Sequence, residues 1–312
     1  MSVQGYHDSA LPTCIIHIKP TVTNNDESSP LFVWIPGNPG LLEYYQEFLA
    51  KVHDKNPTWE ILGISHAGTV IESSQLKKFR KNPLPIYDLK QQTQHKIDII
   101  NKINNDPNRE LVIMGHSVGA YIAQHVVSSP DLVGRVSKLG LITPTIRDIH
   151  KSSHGLIFTR VFNYISNVNE YLSFISSNIF NKLIPAYWTK LLISFAMGCS
   201  FDEYHIILGT FLLLTQRETL RQVLGLAAHE MLEIRDDWAF QEKLLTKCKD
   251  NGTKLWLLFS DNDHWVSQHT QAELIKFLKD RYPEQLLRVD VDKDIKHSFV
   301  VKDVDLVTRR YF

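Results

Sequence analysis

Short apolar stretches and amphipathic stretches alternate along most of the chain. Residues 31–35 and 111–114 are apolar at every position, which is typical of parallel strands covered on both faces. Residues 88–104 instead place apolar side chains at helical spacing. The pattern predicts strands at 13–19, 31–35, 59–64, 110–114, 138–143, 254–259 and 285–291. It predicts helices at 42–52, 88–104, 120–127, 238–247, 271–279 and 303–311.

This alternation favours a doubly wound, mostly parallel sheet, with the first strand at an edge. It stops at residue 144, and up to residue 237 the sequence is helix-like, rich in aromatic side chains and without a strand pattern. The alternation resumes at residue 238. We therefore predict an α/β core in two parts, residues 1–143 and 238–312, with an inserted helical, apolar cap at residues 144–237.

The cap has the composition of a surface that meets lipid. Between residues 155 and 226, apolar runs are separated by only single or paired charges. No run reaches the roughly 18 uncharged residues that a membrane-spanning helix needs, so we expect no spanning helix. Aromatic side chains suit the boundary between headgroups and acyl chains, so we expect helices that lie in a lipid interface. The alternative is a lid buried against the core.

Charge and cysteine content narrow the function classes. The 34 basic and 34 acidic residues give a net charge of zero, so we expect no nucleic-acid partner. Three cysteines, far apart in the sequence, fit unpaired thiols in a reducing compartment. Residues 1–10 are polar and contain no apolar signal-peptide core, so we expect the cytosolic side of the cell.

The most informative motif is Gly115-His116-Ser117-Val118-Gly119. A strand pattern precedes it and a helix pattern follows it, which is the context of the nucleophile elbow in α/β-hydrolases. In that elbow a serine occupies a strained turn, and small residues on either side let the turn close. Ser117 is therefore the candidate nucleophile. The alternative is a glycine-rich turn without a catalytic role, which the five letters alone would also fit.

Candidate partners for Ser117 occur in the order that this fold uses, with the acid before the histidine and each after a late strand. Asp261 and Asp263 follow the sixth predicted strand, and His297 follows the seventh. His297 would take the serine proton, and one of the two aspartates would hold the imidazole in the required tautomer. The alternative is that all three are ordinary loop residues.

An acyl-transfer site also needs N–H donors for the oxyanion. The N–H of Val118, at the start of the helix, is the first candidate. The second is expected from the loop after an early strand, where Gly37-Asn38-Pro39-Gly40 stands. Pro39 has no N–H, which leaves Asn38 as the donor. The alternative is a Pro/Gly turn without a catalytic role.

We expect no cofactor and no metal. His229-Glu230-Met231-Leu232-Glu233 begins like a zinc-protease helix, but Glu233 stands where the second histidine ligand is required. The sequence contains neither a Walker A motif nor Gly-x-Gly-x-x-Gly.

Four motifs follow one another along the chain. They are Pro36-Gly37-Asn38-Pro39-Gly40 with Glu43-Tyr44-Tyr45, Ser65-His66-Ala67-Gly68, Leu89-x-x-Gln92-x-x-His95-Lys96, and Gly115-His116-Ser117-Val118-Gly119-Ala120-Tyr121. Together they resemble the lipid-droplet-associated hydrolases, a family of α/β-hydrolases from fungi and animals. The resemblance extends from about residue 31 to the end of the chain and is weakest in the cap.

The resemblance implies Ser117 as nucleophile, Asp263 as acid and His297 as base. Asp263-His264-Trp265 stands in the place of the family's Asp-Gly-Trp, so His264 is a departure from the family pattern. The resemblance also implies esterase or lipase activity on sterol esters or triacylglycerols. It further implies a location at lipid droplets, with a pool in the endoplasmic reticulum or the cytoplasm.

We interpret the chain as a carboxylic ester hydrolase that acts on neutral lipid esters through a Ser-His-Asp triad. Its expected partners are the lipid substrate and the lipid-droplet monolayer. Two alternatives stay open. One is a soluble carboxylesterase or thioesterase, and the other is a weakly active or non-catalytic protein of the droplet surface.

Overall fold

The computed structural model describes residues 2–22, 28–69 and 83–312, and eight strands in these ranges form one sheet. The strands are β1 Gln4–Gly5, β2 Cys14–Ile18, β3 Leu31–Ile35, β4 Glu60–Ile64, β5 Glu110–His116, β6 Arg135–Ile142, β7 Lys254–Ser260 and β8 Leu287–Asp292. Their order is β1-β2-β4-β3-β5-β6-β7-β8. All neighbours from β4 to β8 in this order are parallel, and β2 pairs antiparallel with β4.

One prediction about the sheet is wrong. The strand predicted at 13–19 does not form the edge, because Gln4 and Gly5 pair antiparallel with Ile15 and Cys14. A strand of two residues is too short to show an alternating pattern in the sequence. The last strand also begins later than predicted, at Leu287, because a 3₁₀ turn precedes it.

Helices cover both faces of the sheet. They are α1 Gln46–Lys55, α2 Leu89–Ile103, α3 Val118–Ser128, α4 Ser153–Tyr164, α5 Val168–Asn178, α6 Ala186–Met197, α7 Tyr204–Thr215, α8 Arg217–Glu233, α9 Trp238–Asp250, α10 Gln268–Arg281, α11 Phe299–Lys302 and α12 Val304–Tyr311. A 3₁₀ turn, Leu42–Tyr45, directly precedes α1. The sequence predicts a single helix at 42–52, but its first four residues form this turn instead.

The central strand β3 shows why its sequence is apolar throughout. Leu31, Val33 and Ile35 pack into the hydrophobic cluster that contains residues of α2 and α3. Phe32 and Trp34 pack into the cluster on the other face, with residues of α1 and α12. Both faces of this strand are therefore buried under helices, as the unbroken apolar run predicts.

Five helices, α4 to α8, lie between β6 and α9, where the strand pattern of the sequence stops. A π-helical turn, Ile179–Leu183, connects α5 to α6. In the part of the chain that the structure describes, no helix is both long enough and apolar enough to cross a lipid bilayer.

Candidate active site

Ser117 lies on a sharp turn between β5 and α3. Its backbone φ of 53° lies in a region that serine adopts only under strain. The turn is closed tightly. A Cβ atom on Gly115 would lie 2.2 Å from the carbonyl oxygen of Gly119, and one on Gly119 would lie 2.3 Å from the carbonyl oxygen of Ile35. Only glycine fits at both positions, as a nucleophile elbow requires.

His297 and Asp263 lie next to the serine. His297 Nε2 is 2.9 Å from Ser117 Oγ, and His297 Nδ1 is 2.7 Å from Asp263 Oδ2. The other carboxylate oxygen of Asp263 accepts a hydrogen bond of 2.8 Å from the Trp265 N–H, which fixes the carboxylate in the loop after β7. Because a carboxylate only accepts, His297 Nδ1 carries the hydrogen. Its Nε2 is then free to accept the proton of Ser117.

Asp261 and His264 lie on the exposed side of the same loop. The N–H of Asp261 donates to a carbonyl at the end of β8, 3.0 Å away. The imidazole of His264 stacks on that of His154, with ring centroids 5.0 Å apart. The bulky side chain is thus accommodated beside the cap, and it does not separate Asp263 from His297. Of the two candidate acids, the structure brings Asp263 to the histidine.

The loop after β3 lies against the nucleophile. A Cβ atom on Gly37 would lie 2.9 Å from the Cβ of Ser117, so the loop can come this close only because residue 37 has no side chain. Among the described residues, no acceptor bonds to the N–H of Asn38 or to that of Val118. Both predicted oxyanion donors are therefore free, and the N-terminal end of α3 adds its partial positive charge.

A buried hydrogen-bonded chain joins the Gly37 loop to the loop that carries His297. The N–H of Gly37 donates to the Tyr45 hydroxyl at 2.9 Å, and that hydroxyl lies 2.7 Å from His116 Nδ1. His116 Nε2 lies 2.8 Å from the carbonyl oxygen of His297. A carbonyl can only accept, so Nε2 carries the hydrogen and Nδ1 accepts from Tyr45. Burial lowers the pKa of His116 to about 3, which keeps this ring neutral.

Sequence reasoning assigned no role to Tyr45 or His116. Their contact joins residues 71 positions apart, and it depends on how the 3₁₀ turn before α1 meets the elbow. Both residues do occur in the motifs quoted above, Tyr45 in the first and His116 in the fourth, and those positions are the available signal.

Residues of two further quoted motifs, at 65–68 and 89–96, bond to each other next to the Gly37 loop. The amide of Gln92 bonds to both the N–H and the carbonyl of Ala67, at 2.8 and 3.2 Å. Lys96 is fully buried, and its Nζ donates to the carbonyl of Ser65 at 2.8 Å. The N–H of His66 donates to the carbonyl of Gly40 at 3.2 Å. Helix α2 therefore holds the loop after β4, which in turn supports the Gly37–Gly40 loop.

The segment His229–Glu233 begins like a zinc-protease helix in sequence, but its histidine pairs with a carboxylate. His229 Nδ1 pairs with Glu233 Oε1 at 2.6 Å near the protein surface. In the described ranges of the chain, no group of three or more His, Cys, Asp or Glu side chains is placed to hold a metal ion.

Comparisons with known proteins bear on the whole chain. A family model described as lipid-droplet associated hydrolase matches residues 28–300. The chain is 27% identical over 295 residues to the lipid droplet-associated hydrolase of Drosophila melanogaster, which covers 91% of this chain and 87% of that protein. It is 26% identical over 284 residues to that of Gallus gallus, which covers 87% and 80%.

Among solved structures, the chain is similar to the haloalkane dehalogenase DatA from Agrobacterium tumefaciens C58. The TM-score is 0.65 at 11% sequence identity, and the match covers 99% of this chain and 94% of that chain. Identity this low shows the fold alone. That fold is the α/β-hydrolase fold, so the predicted fold class is confirmed.

Proposed function

The chain belongs to the lipid-droplet-associated hydrolase family, and we propose that it is a serine hydrolase of neutral lipid esters, such as sterol esters or triacylglycerols. The observation that carries the proposal is the continuous hydrogen-bonded series from Ser117 through His297 to Asp263, with distances of 2.9 and 2.7 Å. A serine on a strained elbow, with a histidine and an acid in line, is the arrangement of covalent acyl transfer.

The reaction follows from this geometry in two steps. Ser117 Oγ attacks the acyl carbonyl while His297 Nε2 takes its proton, and the resulting oxyanion accepts hydrogen bonds from the N–H groups of Asn38 and Val118. His297 gives the proton to the leaving alcohol. Water, deprotonated by His297, then attacks the acyl-enzyme. The bond between the acyl carbon and Ser117 Oγ breaks, the imidazolium of His297 returns the proton to that oxygen, and the carboxylic acid leaves. Asp263 stabilises the imidazolium that forms in each step.

The cap surface supports action at a lipid monolayer. In the described residues, every exposed large apolar side chain except Val22 and Val291 belongs to residues 144–237. Three of them, Phe195, Tyr164 and Leu183, are 88%, 85% and 75% exposed. Exposed apolar side chains concentrated in one segment suit a surface that meets lipid. They fit helices that lie in a lipid-droplet surface. We also propose a further pool in the endoplasmic reticulum or the cytoplasm, which the family resemblance implies.

The nucleophile is tested by covalent labelling with a fluorophosphonate probe. Wild-type protein is expected to label and Ser117→Ala is not, with ester hydrolysis reduced by about 10⁴-fold or more because only binding and the oxyanion donors remain. Undiminished labelling of the alanine variant would remove Ser117 from the mechanism. Absence of labelling in the wild type would favour a non-catalytic protein of the droplet surface.

The acid is tested with a matched pair of substitutions in one loop. Asp263→Asn is expected to lower kcat by about 10⁴-fold, because an amide favours the wrong tautomer of the histidine. Asp261→Asn lies two residues away on the exposed side of the loop and is expected to leave kcat unchanged. The opposite result would transfer the role to Asp261. Melting temperatures of both variants check that neither has unfolded.

A further inference from the structure

The side chain of Asn38 connects the oxyanion loop to the last helix of the cap. Its Nδ2 donates to the carbonyl of Val223 at 3.0 Å and to Glu230 Oε1 at 2.8 Å. Both acceptors belong to α8. The side chain of Asn38 is therefore used to fasten the loop, and the N–H of its backbone is the group left for a substrate.

Glu230 is an acidic residue at a buried position of α8. It is only 4% exposed, and in the described part of the chain its side chain bonds to Asn38 and pairs with no cation. Burial raises the pKa of this carboxyl to about 7, and the hydrogen bond from Asn38 opposes the rise. A buried carboxyl without a cation is costly in free energy. By contrast Glu233, on the next turn, pairs with His229 near the surface.

We propose that Glu230 is a positioning residue of the active site, which holds Asn38 through its side chain so that the backbone N–H of Asn38 is presented to the oxyanion beside Ser117. The inference rests on the proposed function, because it gives Asn38 the role of oxyanion donor. Glu230 does not touch the substrate and acts through Asn38 alone.

A merely structural role would fasten α8 to the core, and the structure provides other bonds for that. Gln222, on the same helix, donates to the carbonyl of Pro85 at 2.7 Å and accepts from the N–H of Tyr87 at 3.3 Å. Loss of the Glu230 bond therefore leaves α8 attached. What it removes is one of the two acceptors that fix the Asn38 amide, and a small displacement of an oxyanion donor costs rate rather than stability.

The experiment compares Glu230→Leu, which removes the acceptor at similar volume, with Glu230→Gln, which keeps an oxygen acceptor. Full-length variants are assayed with p-nitrophenyl butyrate and for the rate of fluorophosphonate labelling. Glu230→Leu is expected to lower kcat and the labelling rate by about 10- to 100-fold, with KM within about twofold. Glu230→Gln is expected to stay within about threefold of wild type. Glu233→Leu is the control on the same helix and is expected to match wild type.

A second approach removes the donor of the same hydrogen bond. Asn38→Ala keeps the backbone N–H but loses the bonds to both Glu230 and Val223, so it is expected to lower kcat at least as much as Glu230→Leu. The double variant is expected to lose no more than Asn38→Ala alone, because Asn38→Ala already removes the bond to Glu230. If Glu230→Leu fails to fold, Asn38→Ala alone still tests whether the side-chain bonds of Asn38 position the donor.

Three results would overturn the inference. They are wild-type kcat in folded Glu230→Leu, equal losses in the Gln and Leu variants, and additive losses in the double variant. An inactive, unlabelled wild-type protein would instead reject the proposed function itself. The two failures are therefore distinguishable.

Discussion

The hydroxyl group of Tyr45 connects the loop after β3 with the turn that carries Ser117. It accepts from the Gly37 N–H in the oxyanion loop and donates to His116, whose other ring nitrogen donates to the carbonyl of His297. The Tyr45 hydroxyl and the His116 ring each accept one hydrogen bond and donate one. The positions of the Gly37 loop and of His297 are therefore linked through one buried tyrosine and one buried histidine.

Tyr45→Phe is expected to lower kcat for p-nitrophenyl butyrate by about tenfold, because the Gly37 N–H and His116 Nδ1 both lose a buried partner, which costs about 1–3 kcal/mol per group. The matched control is Tyr44→Phe, which loses a hydrogen bond of 2.9 Å to Thr210 of the cap. This neighbour is expected to lose stability by a similar amount but to keep kcat. Steady-state kinetics with thermal melts make the comparison. Equal kinetic losses in both variants would contradict a specific role of Tyr45.

Single residues of the site differ in how far the sequence predicts them. Ser117 and His297 are predicted because the elbow has a fixed backbone form and the fold fixes the chain order of its partners. That order leaves Asp261 and Asp263 open, and the family resemblance favours Asp263. No comparable rule predicts a role for Tyr45, His116 or Glu230 from the sequence. Their roles arise from contacts between elements that are distant in sequence, and tyrosine, histidine or glutamate at those positions fits many other uses.

At the scale of elements, α2 carries a lysine that is fully buried and bonded to the loop after β4. Burial lowers the pKa of Lys96 well below its ordinary value, so the folded state releases this proton at a lower pH than the unfolded chain does. The unfolded chain binds a proton there up to about pH 10.4. Between the lowered folded pKa and that value the unfolded state binds more protons, so stability rises with pH.

Lys96→Met removes this titration. The free energy of unfolding of the wild type is expected to rise with pH relative to that of Lys96→Met, by up to about 1.4 kcal/mol per pH unit, when measured at about pH 8 and about pH 9.5. Urea unfolding at the two pH values measures it. Lys90→Met, at an exposed position of the same helix, is the control and is expected to show no such difference. A parallel pH dependence of wild type and Lys96→Met would show that Lys96 is charged in the folded protein.

Elements whose hydrophobic pattern extends over many residues could be predicted from the sequence, and short elements could not. Strand β3 and helix α2 follow from patterns that extend over several residues or turns. Strand β1 has two polar or small residues, and its pairing with β2 is decided by tertiary contact alone. The 3₁₀ turn before α1 has the same apolar residues as a helix, so the sequence could not separate the two forms.

At the scale of the whole molecule, the break in the strand pattern predicts an inserted helical segment, but not which way its apolar faces point. Apolar helices are needed both for a buried lid and for a lipid-facing surface, so the sequence left both open. Few side chains of the cap helices α5 and α6 are buried. The buried ones are Val168 and Ser173 in α5, and Thr189 and Ile193 in α6.

The proposed lipid-binding role of the cap can be tested at its exposed phenylalanines. Phe174 and Phe195 are 54% and 88% exposed, so Phe174→Asp with Phe195→Asp removes apolar area from the surface without opening the core. Burial of such side chains in a monolayer contributes about 1.5–3 kcal/mol each. The double variant is therefore expected to leave the droplets and to stay folded. Its hydrolysis of p-nitrophenyl butyrate, which needs no lipid surface, is expected to be unchanged.

The control places the same two charges on apolar side chains outside the cap. Val22 and Val291 are both 48% exposed, and Val22→Asp with Val291→Asp is expected to leave droplet association intact. Flotation with triolein droplets and imaging of fluorescent fusions compare the two variants. If the folded cap variant still coated droplets, or if both variants left them equally, the cap would not be the lipid-binding surface. Selective release of the cap variant would instead place the lipid monolayer against α5 and α6, because these helices carry the two phenylalanines.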